Sequence, residues 1–209
     1  MRRFIMILLM FAMIVPNLQA KKKKVDIYEL SLEQNLEDPE INDDKQAQQV
    51  RQYQFKVAVD LKKQGYDVEL MREDEVIVLT VQAGVLFNPN DTVLSELGKK
   101  TLSPLKKYLD NPGFYKMVLV MHSDNTGSED YTLKLSRDRV NSVFNFIERI
   151  ASVDFVVPYA LGSTDPLEEN NSVEKRKRNR RLEIYLIPGE VMISQAKKGK
   201  ININLLKTK

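Results

Sequence analysis

Met117-Val118-Leu119-Val120-Met121-His122-Ser123-Asp124-Asn125-Thr126-Gly127-Ser128 is the stretch that decides the fold. Its first five residues form an apolar run of strand length, the kind buried on both faces at the centre of an α/β sheet. The residues after His122 are small and polar and lead into a long helical stretch from about Glu129 to Ile150. At such a junction the N–H groups of the helix start point outward, and open α/β sheets bind ligands beyond the C-terminal ends of their strands. Residues 122–128 are therefore a candidate ligand loop. Asp124 has an ordinary use there too, as a turn or helix-capping residue.

Outward from this stretch the alternation of strand and helix continues. Val68 to Met71 and Val76 to Val81 flank the charged turn Arg72-Glu73-Asp74-Glu75 and read as a hairpin. Ser95 opens a helical stretch with Leu97, Leu102, Leu105 and Leu109, which Pro104 either kinks or divides into two short helices. Phe155 to Leu161 and Leu182 to Ile187 supply two more strands, the second with Leu182, Ile184 and Leu186 inward and Arg181, Glu183 and Tyr185 outward. Helices alternating with strands predict an α/β fold built as a two-layer α+β sandwich, helices on one mixed sheet. Before the hairpin, Asn42 as N-cap, Asp43 and Asp44, and then Ala47, Val50, Val57, Ala58 and Leu61 predict an amphipathic helix within 41–65, stopped near Gly65. Residues 21–40 read as a flexible lead-in. The core domain spans 66–187, and 188–209 read as a basic tail with Lys197, Lys198, Lys200, Lys207 and Lys209.

The beginning of the chain reads as a processing signal, residues 1–20. Arg2 and Arg3 precede an apolar run from Phe4 to Val15, with the cut expected after Ala20. That run is shorter than the roughly 20 residues a membrane span needs. Export into the periplasm is the expectation, with association to the outer membrane or the wall left open. The four lysines Lys21 to Lys24 leave a second reading, in which the segment stays as an anchor. The sequence has no cysteine, which removes disulfides, thiolate metal sites, cysteine nucleophiles and a lipid-modified cysteine. Loss of Arg2 and Arg3 takes the formal charge from +3 to +1, so charge is informative only locally.

The long helix carries the most telling residue. Leu135, Val143 and Ile147 fall on one stripe, and Arg139 sits four residues from each of the first two, inside that stripe. A guanidinium kept from water is costly unless its donors are paired. Arg139 either reaches the helix edge and pairs with a carboxylate, or it shares a pocket with the loop Asp124. Such a pocket would suit a free amino-acid terminus, which carries both charges.

Ser123-Asp124-Asn125-Thr126-Gly127-Ser128, followed by Leu135, Ser136 and Arg139 and later by Asn179-Arg180-Arg181-Leu182-Glu183-Ile184, resembles the OmpA-like C-terminal domain. The resemblance covers about residues 76 to 187 and rests on several motifs in order. It implies a βαβαββ domain that holds peptidoglycan at the diaminopimelate of its stem peptide. By this resemblance Asp124 takes the ligand ammonium and Arg139 its carboxylate. Asn90, in the loop after Phe87, is a candidate hydrogen-bonder, and Asn125, Thr126 and Gly127 line the pocket. Departures from the family pattern are Met121 for Gly, Ser123 for Thr, Asn88 for Asp, Val140 for Ala and Ala160 for Gly; none removes a charged residue of the site. No transmembrane barrel is read in this chain, and no cofactor or metal is expected.

Three other readings compete. The run Lys175-Arg176-Lys177-Arg178-Asn179-Arg180-Arg181 suits a nucleic-acid patch in composition, but nucleic acid is not expected as a partner of an exported chain. Arg180 or Arg181 either pairs internally with an acid or steers toward anionic glycan stems. His122, the single histidine, lies two residues from Asp124 and raises general acid/base chemistry, yet no nucleophile is placed with a base, and an enzyme is not expected. Its plainer use is as a strand-end residue that fixes the loop by hydrogen bonding. Finally, an envelope protein partner, served by a module that kept the fold and lost the ligand, would account for the lead-in, the first helix and the tail.

Overall fold

The computed structural model describes residues 27–37, 41, 43–199 and 201. The processing signal, the Lys21 to Lys24 run and the last lysines of the tail lie outside them. Five strands form one sheet: β1 (Asp67–Met71), β2 (Val76–Gln82), β3 (Tyr115–His122), β4 (Val156–Gly162) and β5 (Arg181–Pro188), in the order β1-β2-β5-β3-β4. The β3–β4 pair is parallel and the others are antiparallel, so the sheet is mixed. The apolar run 117–121 of β3 lies between β5 and β4 and is buried throughout.

Alternation divides the sheet into two faces. Met117, Leu119, Met121, Leu182, Ile184, Leu186, Ile77 and Leu79 join the main core with the helices, whereas Val76, Val78, Val118, Val120 and Ile187 form a smaller cluster on the second face. Two 20-residue helices cover the main core, α2 (Asp44–Lys63) and α5 (Glu129–Glu148). The cap of α2 is Asp43, whose carboxylate accepts the Gln46 N–H at 2.9 Å, one residue after the expected Asn42. Beside them lie the short α3 (Ala83–Leu86) and α4 (Glu96–Leu102). Pro104 resolves as the start of a separate 3-10 turn, Ser103–Tyr108, rather than as a kink.

Two expectations need correction. The lead-in is ordered over 27–37: a turn at Ile27–Glu29, whose Tyr28 hydroxyl donates to the Val153 carbonyl at 2.8 Å, leads to α1 (Leu32–Asn35), which lies against the second face of the sheet. A reciprocal capping box between Ser31 and Gln34 starts α1, Leu32 and Leu36 pack on the sheet, and Asn35 donates to the Tyr159 hydroxyl at 2.6 Å. The tail is not simply basic. Residues Glu190–Lys197 form α7, which buries Met192 and Ala196 against α2 and is tied there by Gln46 Nε2 donating to the Ile193 carbonyl at 2.7 Å. The loop between β4 and β5 contains α6 (Val173–Asn179), capped by Ser172. Helices this short draw their stability from tertiary contacts and caps rather than from propensity.

Candidate functional site

Asp124 begins where β3 ends. The β3–β4 register shifts between Met121 and His122, and Ser123 N–H then donates to the Gly162 carbonyl at 2.7 Å, fixing the exit of the loop. Asp124 is buried, at 3% exposure. One carboxylate oxygen accepts the Thr126 N–H at 3.0 Å and the other is ion-paired with Arg180 Nη1. Burial alone would raise its pKa, but the Thr126 N–H and the Arg180 guanidinium outweigh it and hold the group below the ordinary value. Gly127 is required by its backbone, since φ is +108° and a Cβ would stand 2.8 Å from the Tyr131 ring. Ser128 caps α5 through the Tyr131 N–H at 3.2 Å.

Arg139 comes from the buried stripe of α5 that also carries Thr132, Ser136, Val143 and Ile147. It is 5% exposed. It does not snorkel to an edge carboxylate. Nε donates to the Asp91 carbonyl at 2.9 Å, Nη2 to the Asn88 carbonyl at 3.4 Å, and the guanidinium lies 5.0 Å from the centre of the Phe87 ring. Burial lowers its pKa, and Arg180 nearby acts in the same direction. The loop that receives it is shaped by Asp91, whose carboxylate accepts the Thr92 and Val93 N–H groups, and by Asn90, a left-handed residue at φ 57°. Gly98 lets α4 approach the end of α3, just before that loop, because a Cβ there would lie 2.8 Å from the Leu86 carbonyl oxygen.

These pieces enclose one cavity of about 610 Å³. Asp124, Thr126, Gly127, Asn90 and Arg139 are all in its wall, together with Tyr131 and Arg180. Asn125 is not; it is exposed at the tip of the loop. In the sequence Arg180 stands out only as one of two arginines with alternative uses. Its direction is set by the sheet: Ala83 N–H donates to the Arg180 carbonyl at 2.9 Å, and β5 starts one residue later. Consecutive residues at a strand entry face opposite ways, so Arg180 meets the cavity while Arg181 goes to the second face.

His122 takes no part in the cavity wall. It follows Val118 and Val120 onto the second face, with Nδ1 3.8 Å from Asp165 and Nε2 3.5 Å from Glu183, contacts longer than ordinary hydrogen bonds. The expectation that it fixes the loop by hydrogen bonding is not met by these distances. Glu183 also accepts from Arg181 Nε at 2.7 Å and from the Tyr185 hydroxyl at 2.7 Å. The basic run is likewise committed internally: Lys175 pairs with Glu169, Arg176 donates to the Asn170 carbonyl, and Arg178 pairs with Glu168. Among the described residues no group of three or more His, Asp or Glu is placed to hold a metal, and no helix is long and apolar enough to cross a membrane.

The OmpA family model matches residues 86–180, which contain Asp124, Arg139 and Arg180. The probable lipoprotein YiaD of Escherichia coli is 27% identical over 61% of this chain and 58% of its own length. The outer-membrane lipoprotein YfiB of Pseudomonas aeruginosa is 30% identical over 62% of this chain and 75% of its own. The peptidoglycan-binding protein ArfA of Mycobacterium tuberculosis is 38% identical over 31% of this chain and 20% of its own. The chain thus spans less than two thirds of the first of these relatives. In fold it is similar to a putative MotB-like protein from Desulfovibrio vulgaris, with a TM-score of 0.59 at 22% identity over 69% of this chain and 94% of the other. By the extent of these matches and the strand order that carries its site, the chain belongs to the OmpA family.

Proposed function

We propose that this chain binds peptidoglycan non-covalently and without turnover, and that in doing so it links or organises the cell envelope from the periplasm. The ligand group is the diaminopimelate of the stem peptide. Its ammonium goes to Asp124 and the carboxylate on the same carbon to Arg139.

One observation carries the reading: two buried charges of opposite sign open on the same cavity without pairing with each other. Arg139 is held by carbonyls, which satisfy donors but neutralise no charge. Asp124 keeps acceptor capacity beyond the two contacts it makes, because a carboxylate offers about four lone-pair sites. The cavity volume lies within the roughly 300–1,000 Å³ of ordinary small-ligand pockets. No histidine lines it, which favours binding over acid/base chemistry. Family membership and the peptidoglycan-binding name of one relative point the same way. A second reading, an interaction module that has lost its ligand, is favoured by the Asp124–Arg180 pair, since Asp124 already has a cation.

Co-sedimentation with purified sacculi separates the two. Wild-type protein is expected to pellet with sacculi and to be released by free diaminopimelate, and Asp124→Asn and Arg139→Lys, shown first to melt near the wild type, are expected to stay in the supernatant. A point-like ammonium cannot reproduce the two-pronged contact of an arginine with a carboxylate. Wild-type protein that ignores free diaminopimelate, or variants that pellet equally well, would leave the interaction module ahead.

A further inference from the structure

The cavity wall carries three ionised side chains, and they do not balance. Asp124 supplies one negative charge, Arg139 and Arg180 one positive charge each. Asp91 does not correct the count: its carboxylate is bound by the Thr92 and Val93 N–H groups and is outside the wall. A single amino-acid terminus, with one ammonium and one carboxylate, answers Asp124 and Arg139 and leaves Arg180 over.

Arg180 is placed to answer something more. Of its five N–H donors, a contact to Asp124 engages those of Nη1, and the side chain is 37% exposed at the cavity. Among the described residues its Nε and Nη2 make no other side-chain hydrogen bond. One prong therefore orients the Asp124 carboxylate while the remaining edge stays available to an anion. A guanidinium fork suits a second carboxylate better than a hydroxyl or an amide.

We infer that Arg180 reads a second carboxylate of the ligand, so that the site selects stems ending in a diamino diacid whose other α-carboxylate is free. This inference rests on the proposed binding of the stem-peptide zwitterion. In a stem peptide the diamino diacid is joined to the chain through one of its amino groups, and the carboxylate on that same carbon is either free or carries a further amino acid. A tripeptide stem with that carboxylate free presents two carboxylates and one ammonium, which matches two guanidiniums and one carboxylate. A stem amidated at that position presents one of each and leaves Arg180 without its anion, and one extended there moves the free carboxylate onto the added residue, further along the chain.

The test is isothermal titration of the purified full chain with two synthetic tripeptide stems, both with the far zwitterionic end intact. One has the near carboxylate free and the other has it as a carboxamide. Wild type is expected to bind the free acid about ten- to a hundred-fold more tightly, the range of one charge-assisted hydrogen-bonded contact. In Arg180→Gln the two affinities are expected to converge, and in Arg180→Lys the preference is expected to shrink but persist. If Arg180 merely orients Asp124, Arg180→Gln weakens both stems equally and keeps their ratio, which overturns the inference. Equal wild-type affinity for the two stems overturns it as well while leaving the Asp124–Arg139 grip intact. Binding of neither stem by wild type removes the underlying reading and this one with it.

Discussion

The two faces of the sheet hold two clusters of charge that take the neighbouring residues Arg180 and Arg181 in opposite directions and are finished differently. On the second face His122, Arg181, Glu183 and Tyr185 turn toward one another, with Asp165 at the rim, and the charged groups have charged partners. On the helix side Arg139 is held by the Asn88 and Asp91 carbonyls, and its charge remains uncancelled by contact. The first arrangement is a closed network of Arg181, Glu183 and Tyr185, with His122 beside it at longer distances. The second leaves Arg139 in the cavity wall with no charged contact. Arg181 and Arg139 are buried to a similar degree, and what distinguishes these two arginines is that the first meets carboxylates and the second only carbonyls.

The sharpest break between the clusters is expected at their arginines. Arg181→Met removes a buried cation from beside the partly buried Glu183, and breaking a pair of this kind costs up to about 3–5 kcal/mol of stability. Thermal or urea unfolding would read it, and the fraction that remains folded should pellet with sacculi as the wild type does. A large loss of binding without loss of stability would show that the second face belongs to the site.

Acid should open the closed network next. Burial raises the Glu183 carboxyl, and His122, the Tyr185 hydroxyl and Arg181 more than reverse this, bringing it to about 2 from an ordinary 4.5. Its folded pKa is depressed, so its contribution is full above the ordinary value and is lost as pH falls from about 4.5 toward 2. At 1.36 kcal/mol per unit the loss is about 3 kcal/mol. Glu183→Gln should flatten the stability curve over that window; an unchanged curve would remove Glu183 from the network.

The smallest effect is expected at Arg180, which pairs with Asp124 from a partly exposed position. Screening by solvent limits such a pair to about 1 kcal/mol or less. Arg180→Gln should therefore shift the melting midpoint only slightly, in contrast to Arg181→Met one residue away. A loss as large as that of Arg181 would mean that the cavity, too, is a closed structural network.

Much of this architecture is legible in the amino-acid sequence alone. The apolar run 117–121, the hairpin and the alternation along β5 are long enough to report their own burial, and Arg139 betrays itself by interrupting an apolar stripe. Asp124 is different, because an aspartate in a loop of small residues has a capping use that spacing cannot exclude, and its role comes with the family resemblance. The elements that the sequence hides lack local signal. Helix α6 has no apolar stripe and is held by Ser172, by Asn179 bonding to Glu168 and Asn170, and by Arg176 bonding to the Asn170 carbonyl. Helix α7 shows only Met192 and Ala196 at helical spacing, too few to separate from a tail. Residues 27–37 bury so little that their place depends on Tyr159, Val153 and the sheet face. Arg180 and Arg181 cannot be told apart by type; their opposite directions follow from where β5 begins.

The central claim is that one ligand end meets Asp124 and Arg139 together. Solution NMR during titration with free diaminopimelate addresses both groups in a single experiment. The Thr126 amide, bonded to the Asp124 carboxylate, and the Arg139 Nε–H, held on the Asp91 carbonyl, are reporters built into the site. Both signals are expected to move and to saturate with one common dissociation constant, while the Tyr185 and Glu183 amides on the second face stay put. Movement of only one reporter, or saturation of the two at different concentrations, would contradict a shared zwitterion grip.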